Sequence, residues 1–153
     1  MSIVKANITD LITVRTITRD TINAIYPHYY PVGAVDYFLC HHNDERIIRD
    51  IESGRVYLYL NDEGIATGTV TISENEICRL FVSEQYQGKG YGGALIDFAE
   101  KAIAEKHEQI ILDASLPAKA IYLKRGYITT EYHVIKTENG DRLCYDEMTK
   151  SCL

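Results

Sequence analysis

A glycine-rich turn at residues 87–92 is the part of the sequence whose residue types and spacing point most directly to chemistry. It reads Gln-Gly-Lys-Gly-Tyr-Gly, after an apolar, strand-like run at residues 76–82 and before a run at 94–104 whose apolar residues have helical spacing. The first backbone N–H groups of a helix lack internal partners and lie at the positive end of its dipole. Because glycine has no side chain to obstruct an anion, this turn predicts a phosphate-binding site.

Two well-known phosphate-binding motifs fit this turn less well. The Walker loop ends in Gly-Lys-Ser/Thr, whereas Gly88 and Lys89 are followed by Gly90, which excludes it. The dinucleotide-binding pattern GxGxxG does fit Gly88, Gly90 and Gly93, and Asp113 closes the next apolar run. However, its first glycine should follow the strand almost at once, and the chain beyond Asp113 is too short for a doubly wound sheet. A dinucleotide-binding domain is therefore the weaker alternative.

The turn and a later segment together resemble the GNAT superfamily of acyl-CoA-dependent N-acetyltransferases. The defining places of its Q/R-x-x-G-x-G/A signature are occupied by Gln87, Gly90 and Gly92, and Gly88 stands at one of its variable places. Residues 115–127 are similar to its N-x-x-A-x-x-x-Y-x-K-x-G-F segment, with Ser115 in place of Asn and Tyr127 in place of Phe. These two departures keep open a second function for the same fold, a catalytically silent acyl-CoA-binding sensor or interaction protein.

The resemblance implies that acetyl-CoA is the co-substrate. The end of the strand at 76–82 would offer backbone groups to the pantetheine arm, the turn amides would hold the pyrophosphate, and Lys89 would add a positive charge. The cofactor-binding residues implied are Leu80, Phe81, Val82, Gln87, Gly88, Lys89, Gly90, Tyr91, Gly92 and Ser115.

The resemblance also assigns Tyr122 as the general acid. A departing thiolate has a conjugate acid with a pKa of about 8.5, and a phenol with a pKa of about 10 can protonate it. The amine acceptor arrives protonated, so a carboxylate, a histidine or a chain of waters must deprotonate it. Glu76 is the preferred base because it opens the strand on the acceptor side, and Glu74 is a weaker candidate. In a regular strand Glu76 shares a face with Cys78, and a bulge would change that.

The acceptor site is expected in the aromatic-rich segment at residues 26–42, because this early helical region commonly walls GNAT acceptor pockets. Tyr26 and Tyr29 could hold an amine by cation–π contact, and Asp36 could pair with it. The adjacent Cys40, His41 and His42 cannot all face one ion on a helix, so no metal is expected.

Composition is that of a globular cytoplasmic enzyme. The chain has 153 residues, 46% hydrophobic and 25% charged, which suits one domain over residues 1–153. A formal charge of −6 argues against nucleic acid as a partner and favours a cationic substrate. We expect no signal peptide and no membrane contact, reduced cysteines, and a small-molecule or peptide amine as acceptor, with a homodimer allowed.

The pattern of elements predicts an α/β (α+β) fold with a mixed, largely antiparallel central sheet flanked by helices. A short strand and three helical stretches come first, followed by three strands joined by tight turns. The second half alternates strand and helix as a βαβαβ segment and ends in a hairpin. With the GNAT resemblance, this pattern implies an N-acetyltransferase that moves acetyl from acetyl-CoA to an amine by direct attack in a ternary complex.

Overall fold

A computed structural model describes residues 2–153, which form one seven-stranded sheet with five α-helices. The strands are β1 (Ser2–Lys5), β2 (Val56–Leu60), β3 (Ala66–Ser73), β4 (Glu76–Val82), β5 (Gln109–Ala114), β6 (Ile128–Lys136) and β7 (Arg142–Ser151). The helices are α1 (Leu11–Ile25), α2 (Val32–His41), α3 (Asp44–Glu52), α4 (Tyr91–Ala104) and α5 (Leu116–Lys124). Within residues 2–153, no helix has the length and apolar character needed to cross a membrane.

The strand order is β1-β2-β3-β4-β5-β7-β6, and all pairs are antiparallel except β4 with β5. The predicted mixed, largely antiparallel sheet is therefore confirmed. The predicted βαβαβ segment is correct in chain order, but β7 lies between β5 and β6. Sequence order did not reveal this insertion, because the hairpin of β6 and β7 can join the sheet by either strand.

The helices divide between the two faces of the sheet and create two apolar cores. On one face, α1 buries Val14, Ile17 and Ile22 together with residues of α2 and α3. On the other face, α4 buries Leu95 and Ile103, and residues of α5 join the same cluster. Each fully buried aliphatic side chain stabilises the fold by about 1.5–3 kcal/mol.

The two parallel strands separate soon after they meet. Their pairing is limited to Glu76 with Ile111 and Ile77 with Leu112. Just beyond, the register of β4 with β3 shifts so that Cys78 has no partner, which is a β-bulge. A bulge bends its strand and increases the local twist, so the ends of β4 and β5 open into a cleft.

The bulge also changes which side chains of β4 face which core. In a regular strand Ile77, Arg79 and Phe81 would share a face. Instead, Ile77 and Val82 pack in the core beneath α4, while Phe81 packs in the core of α1–α3. Arg79 lies on that second side, where its guanidinium pairs with Asp50 of α3.

Tyr30, just before α2, connects three distant parts of the chain. Its hydroxyl accepts a hydrogen bond from Leu116 N–H at 2.8 Å and donates one to the Cys144 carbonyl at 2.9 Å. The first contact occupies one of the N–H groups at the start of α5 that have no partner within the helix. Tyr30 therefore fixes the start of α5 relative to α2 and β7.

We expect Tyr30→Phe to lower the free energy of unfolding by about 1–3 kcal/mol, because it leaves two backbone groups without their partner. Denaturant unfolding of wild type and variant gives this difference. The matched control is Tyr29→Phe, whose ring is 52% exposed and whose stability should change by less than about 0.5 kcal/mol. Equal effects of the two substitutions would contradict the bridging role.

Candidate functional site

Two cavities open where β4 and β5 separate, and they share one wall. The turn cavity, of about 420 Å³, is bounded by residues 86–93, the end of β4 and α5. The helix cavity, of about 350 Å³, is bounded by α2, α3, β4, β5 and β7. The residues that line both are Tyr26, Leu80, Phe81, Ser115, Ala118 and Tyr122. A molecule in one cavity can therefore reach a molecule in the other at this wall.

Residues 88–92 of the turn have backbone N–H groups without a backbone partner, next to the turn cavity. Gln87 N–H bonds to the Glu84 carbonyl, and the next backbone bond along the described chain is that of Ala94 N–H to the Gly90 carbonyl at 3.0 Å. Gly88 and Gly90 have φ of 77° and 86°, and a Cβ at either would meet no atom within 4 Å. Such an open loop at the start of α4 is a suitable anion-binding cradle.

Side chains of the turn serve mainly to hold it in place. The Gln87 side-chain amide donates to the Val82 carbonyl at 2.9 Å, which ties the turn to the end of β4. The Tyr91 ring stacks on Tyr59 with 4.6 Å between centroids. Lys89 is exposed and does not line the turn cavity, unlike Gly88, Gly90, Tyr91 and Gly92. Anion binding here would thus depend on backbone N–H groups.

Tyr122 lies on the shared wall, deep within α5. It is 7% exposed, and burial raises the pKa of its phenol well above the usual range, with a further rise from nearby Tyr26. The phenol therefore stays protonated throughout the neutral range. Its ring meets that of Tyr127 edge to face, with 5.3 Å between centroids. The position offers a buried proton donor to both cavities.

The two departures from the GNAT pattern lie in different surroundings. Ser115, the residue before α5, is buried and lines both cavities, as does Tyr26. Tyr127 lines neither cavity, and its hydroxyl donates to a Glu100 carboxylate oxygen at 3.0 Å. Ser115 is thus part of the shared wall, whereas Tyr127 makes a polar contact with α4.

Glu76 faces the helix cavity, as does Asp113 of β5. Burial raises the pKa of the Glu76 carboxyl, and the Asp113 carboxylate raises it further. Burial likewise raises the pKa of Asp113, with Glu147 adding to the effect. Burial and Glu76 raise the pKa of the bulged Cys78 thiol to about 12, so this thiol is protonated and a poor nucleophile at neutral pH.

A basic group lies on the α3 side of the helix cavity and was missed at the level of sequence. It contains His42 and Arg79, both buried, and the exposed Arg46. Burial lowers the pKa of His42 to about 3, assisted by the Arg79 charge, so its imidazole is neutral. The sequence did contain one signal for this group, the arginine inside the apolar run of β4. A buried arginine is rare unless an acidic or polar group pairs with it.

The predicted acceptor residues lie in three different environments. Tyr26 is buried on the shared wall, near Tyr122 and Ser115. Tyr29 lines the turn cavity and is absent from the wall of the helix cavity. Asp36 is exposed on α2 and lines neither cavity. The structure thus brings Tyr26 together with the predicted cofactor residues, and keeps Asp36 apart from them.

Among residues 2–153, one set of side chains has a geometry compatible with a metal ion. Candidate ligand atoms of Glu131, His133 and Glu147 lie within 4.8 Å of one another. The His133 Nε2 atom is 3.7 Å from Glu147 and 3.8 Å from Glu131, so a protonated imidazole would satisfy the same carboxylates. The metal-free expectation stays a prediction.

Comparison with solved structures finds the same fold in several acetyltransferases. A GCN5-related N-acetyltransferase from Rhodopseudomonas palustris superposes with a TM-score of 0.86 at 24% identity, covering 98% of this chain and 94% of its own. A putative acetyltransferase from Salmonella typhimurium, solved with acetyl-CoA, gives 0.74 at 15% identity, covering 100% and 94%. A phosphinothricin acetyltransferase from Sinorhizobium meliloti, also solved with acetyl-CoA, gives 0.73 at 16%, covering 98% and 87%.

Sequence comparison settles the family. A search of curated protein sequences finds no match. The family profile described as "Acetyltransferase (GNAT) domain" matches residues 25–150, which include the turn, the shared wall of the cavities and the segment that ends at Tyr127. The chain therefore belongs to the GNAT acetyltransferase family.

Proposed function

We propose that this protein transfers an acetyl group from acetyl-CoA to an amine within a ternary complex. The observation that carries the proposal is the shared wall at Tyr122, where the two cavities meet. A donor in the turn cavity and an acceptor in the helix cavity would then react directly. Related folds from Salmonella typhimurium and Sinorhizobium meliloti were solved with acetyl-CoA, which supports this choice of donor.

The described residues fit acetyl-CoA. The N–H groups of residues 88–92 suit the pyrophosphate, and the open space at Gly88 and Gly90 leaves it room. The end of β4 at Leu80 to Val82 pairs with β3 and has no β5 partner on its other edge, which lies along the turn cavity and offers backbone groups to the pantetheine arm. When bound, acetyl-CoA supplies an activated acetyl thioester.

Glu76 and Tyr122 would carry the two proton transfers. Glu76 accepts a proton from the acceptor ammonium, directly or through water, and leaves a neutral amine. The amine nitrogen bonds to the acetyl carbon as the carbon–sulfur bond breaks, and the second amine proton goes to solvent. Tyr122 donates its proton to the departing sulfur and regains one from solvent. The products are the N-acetylated acceptor and the free CoA thiol.

The phosphate cradle is tested by Gly90→Asp. The substitution places a side chain and a negative charge where the anion should lie, so acetyl-CoA should bind at least tenfold more weakly, about 1.4 kcal/mol. Gly140→Asp is the matched control, because Gly140 has φ of 87°, open space around its Cβ and a position in the β6–β7 turn. Calorimetry on both folded variants separates lost binding from backbone strain. Unchanged affinity in Gly90→Asp would refute the cradle.

The general base is tested by Glu76→Gln. Because only the carboxylate can accept the proton, the rate should fall with decreasing pH through a pKa above 4.5, and this acidic limb should vanish in the variant. Turnover should drop by about 10²–10⁴. Since the folded state disfavours the ionised form, removing the charge should leave stability at neutral pH unchanged or higher.

Glu74→Gln is the control for this substitution, since Glu74 is exposed and lines neither cavity. Its pH profile should match that of the wild type. Retention of the acidic limb in Glu76→Gln would assign the base elsewhere.

The general acid is tested by Tyr122→Phe, which keeps the ring and removes the proton donor. The turnover number should fall by about 10²–10⁴, while acetyl-CoA affinity changes little, because the proton is delivered only in the transition state. Tyr127→Phe removes a hydroxyl from the adjacent ring and should keep turnover. Near-normal turnover in Tyr122→Phe would mean that solvent protonates the sulfur.

Acetyl-CoA binding by a wild-type protein that acetylates no amine would support the silent acyl-CoA-binding alternative.

A further inference from the structure

The helix cavity has two charged walls of opposite sign. Glu76 and Asp113, from the paired strands β4 and β5, form the acidic wall. His42, Arg46 and Arg79, from the end of α2, α3 and β4, form the basic wall. In residues 2–153, no ion pair joins the two walls. Each wall is therefore available to a ligand group of opposite charge.

The basic wall contains buried polar atoms that have no partner in the described chain. Arg79 is 4% exposed, and its Nε–H has no acceptor, although a terminal nitrogen pairs with Asp50. His42 is 9% exposed, and its Nδ1 is also without a partner. A buried unsatisfied polar group costs about 1–3 kcal/mol, and both residues line the helix cavity, so a ligand that supplied a hydrogen-bonding partner there would lower this cost.

The positive charge of this wall exceeds the negative charge beside it. Arg46 contacts His41 Nδ1 at 3.1 Å and has no carboxylate partner among residues 2–153. Asp50, the acidic residue that lines this side, is already shared between Arg79 and Arg55. The unsatisfied Nε–H and the free guanidinium of Arg46 thus both favour an anion, and a carboxylate accepts from such donors well.

The acidic wall is short of positive charge. In the sheet, Asp113 stands directly opposite Glu147, which stands opposite Glu131. Like charges in facing positions are destabilising. His133 approaches Glu131 and Glu147 and partly offsets the raised pKa of Asp113, but neither Glu76 nor Asp113 has an ion-pair partner among the described side chains. An ammonium group in the cavity would offset this repulsion.

We propose that the acceptor is a small zwitterion, namely a free amino acid or a close analogue of one. This inference rests on the proposed function, acetyl transfer to an amine. Its carboxylate binds at Arg46, Arg79 and His42, and its ammonium lies at Glu76 and Asp113, on the side of the proposed base. The cavity volume of about 350 Å³ is at the small end of ligand sites, which favours such a molecule over a peptide chain.

The first test compares matched acceptors. Free amino acids, their methyl esters and the amines left by decarboxylation are titrated into the complex of the protein with CoA, and acetylation is followed with acetyl-CoA by product mass. At least one amino acid should bind, and react, at least tenfold better than its ester and its decarboxylated amine. Equal or better use of amines without a carboxylate, putrescine included, would overturn the zwitterion while leaving acetyl transfer intact.

Measuring binding and turnover separately distinguishes failure of the zwitterion site from failure of the proposed acetyl transfer. An amino acid that binds with the carboxylate preference but is not acetylated would support the zwitterion site and overturn the proposed transfer. If no amino acid binds or reacts, the zwitterion is overturned regardless of what acetyl-CoA does.

The second test assigns the carboxylate to the basic wall. Arg46→Gln should reduce the preference for amino acid over decarboxylated amine at least threefold, and Arg46→Lys should restore part of it. Arg46 is exposed, so neither substitution disturbs the core. Arg19→Gln, an exposed arginine of α1 that lines neither cavity, should keep the full preference. An equal loss for both acceptors in Arg46→Gln would overturn the assignment.

Discussion

The limited pairing of β4 with β5 is the constraint on which the rest of the site depends. The strands meet at two residue pairs, and the bulge at Cys78 then bends β4 away. This single irregularity opens both cavities, frees the backbone of β4 beyond Ile77, and turns Arg79 towards α3. A regular strand would have closed the cleft with hydrogen bonds and placed a charged residue in the core of α4. The bulge in β4 and the short pairing of β4 with β5 therefore create the cleft in which the candidate site lies.

Burial changes the pKa values of the side chains in the site and also costs stability. The pKa values of Glu76 and Cys78 are both raised chiefly by burial. A raised pKa makes the Glu76 carboxylate a stronger base, and it keeps the Cys78 thiol protonated and weakly nucleophilic at neutral pH. The same environment disfavours each ionised carboxylate in the folded state. The apolar cores on the two faces of the sheet must supply the compensating stability, and the hydroxyl of Tyr30 holds α5 against them.

Sequence was sufficient where the signal is local. Helical periodicity and the glycines of the turn predicted that α4 follows the turn, and the β4 bounds Glu76–Val82 are those observed. It was insufficient where the signal is a contact between distant segments. The hydrogen bonds of Tyr30 join residues that are far apart in the chain. The position of β7 depends on which strand of one hairpin joins the sheet. Arg79 belongs to the basic group because the bulge reverses the face on which it lies.

The raised pKa of Tyr122 is unfavourable for an acid when it is compared with a thiol in water, whose pKa is about 8.5. Proton transfer depends on the difference between the two groups, and the departing sulfur would share the buried wall with the phenol. Burial disfavours a thiolate as it disfavours a phenolate, so the pKa values of both groups rise together. The difference in pKa between the phenol and the thiol is thus smaller than the pKa of a free thiol suggests. On the proposed function, the donor must therefore lie on a buried wall such as the one that Tyr122 lines.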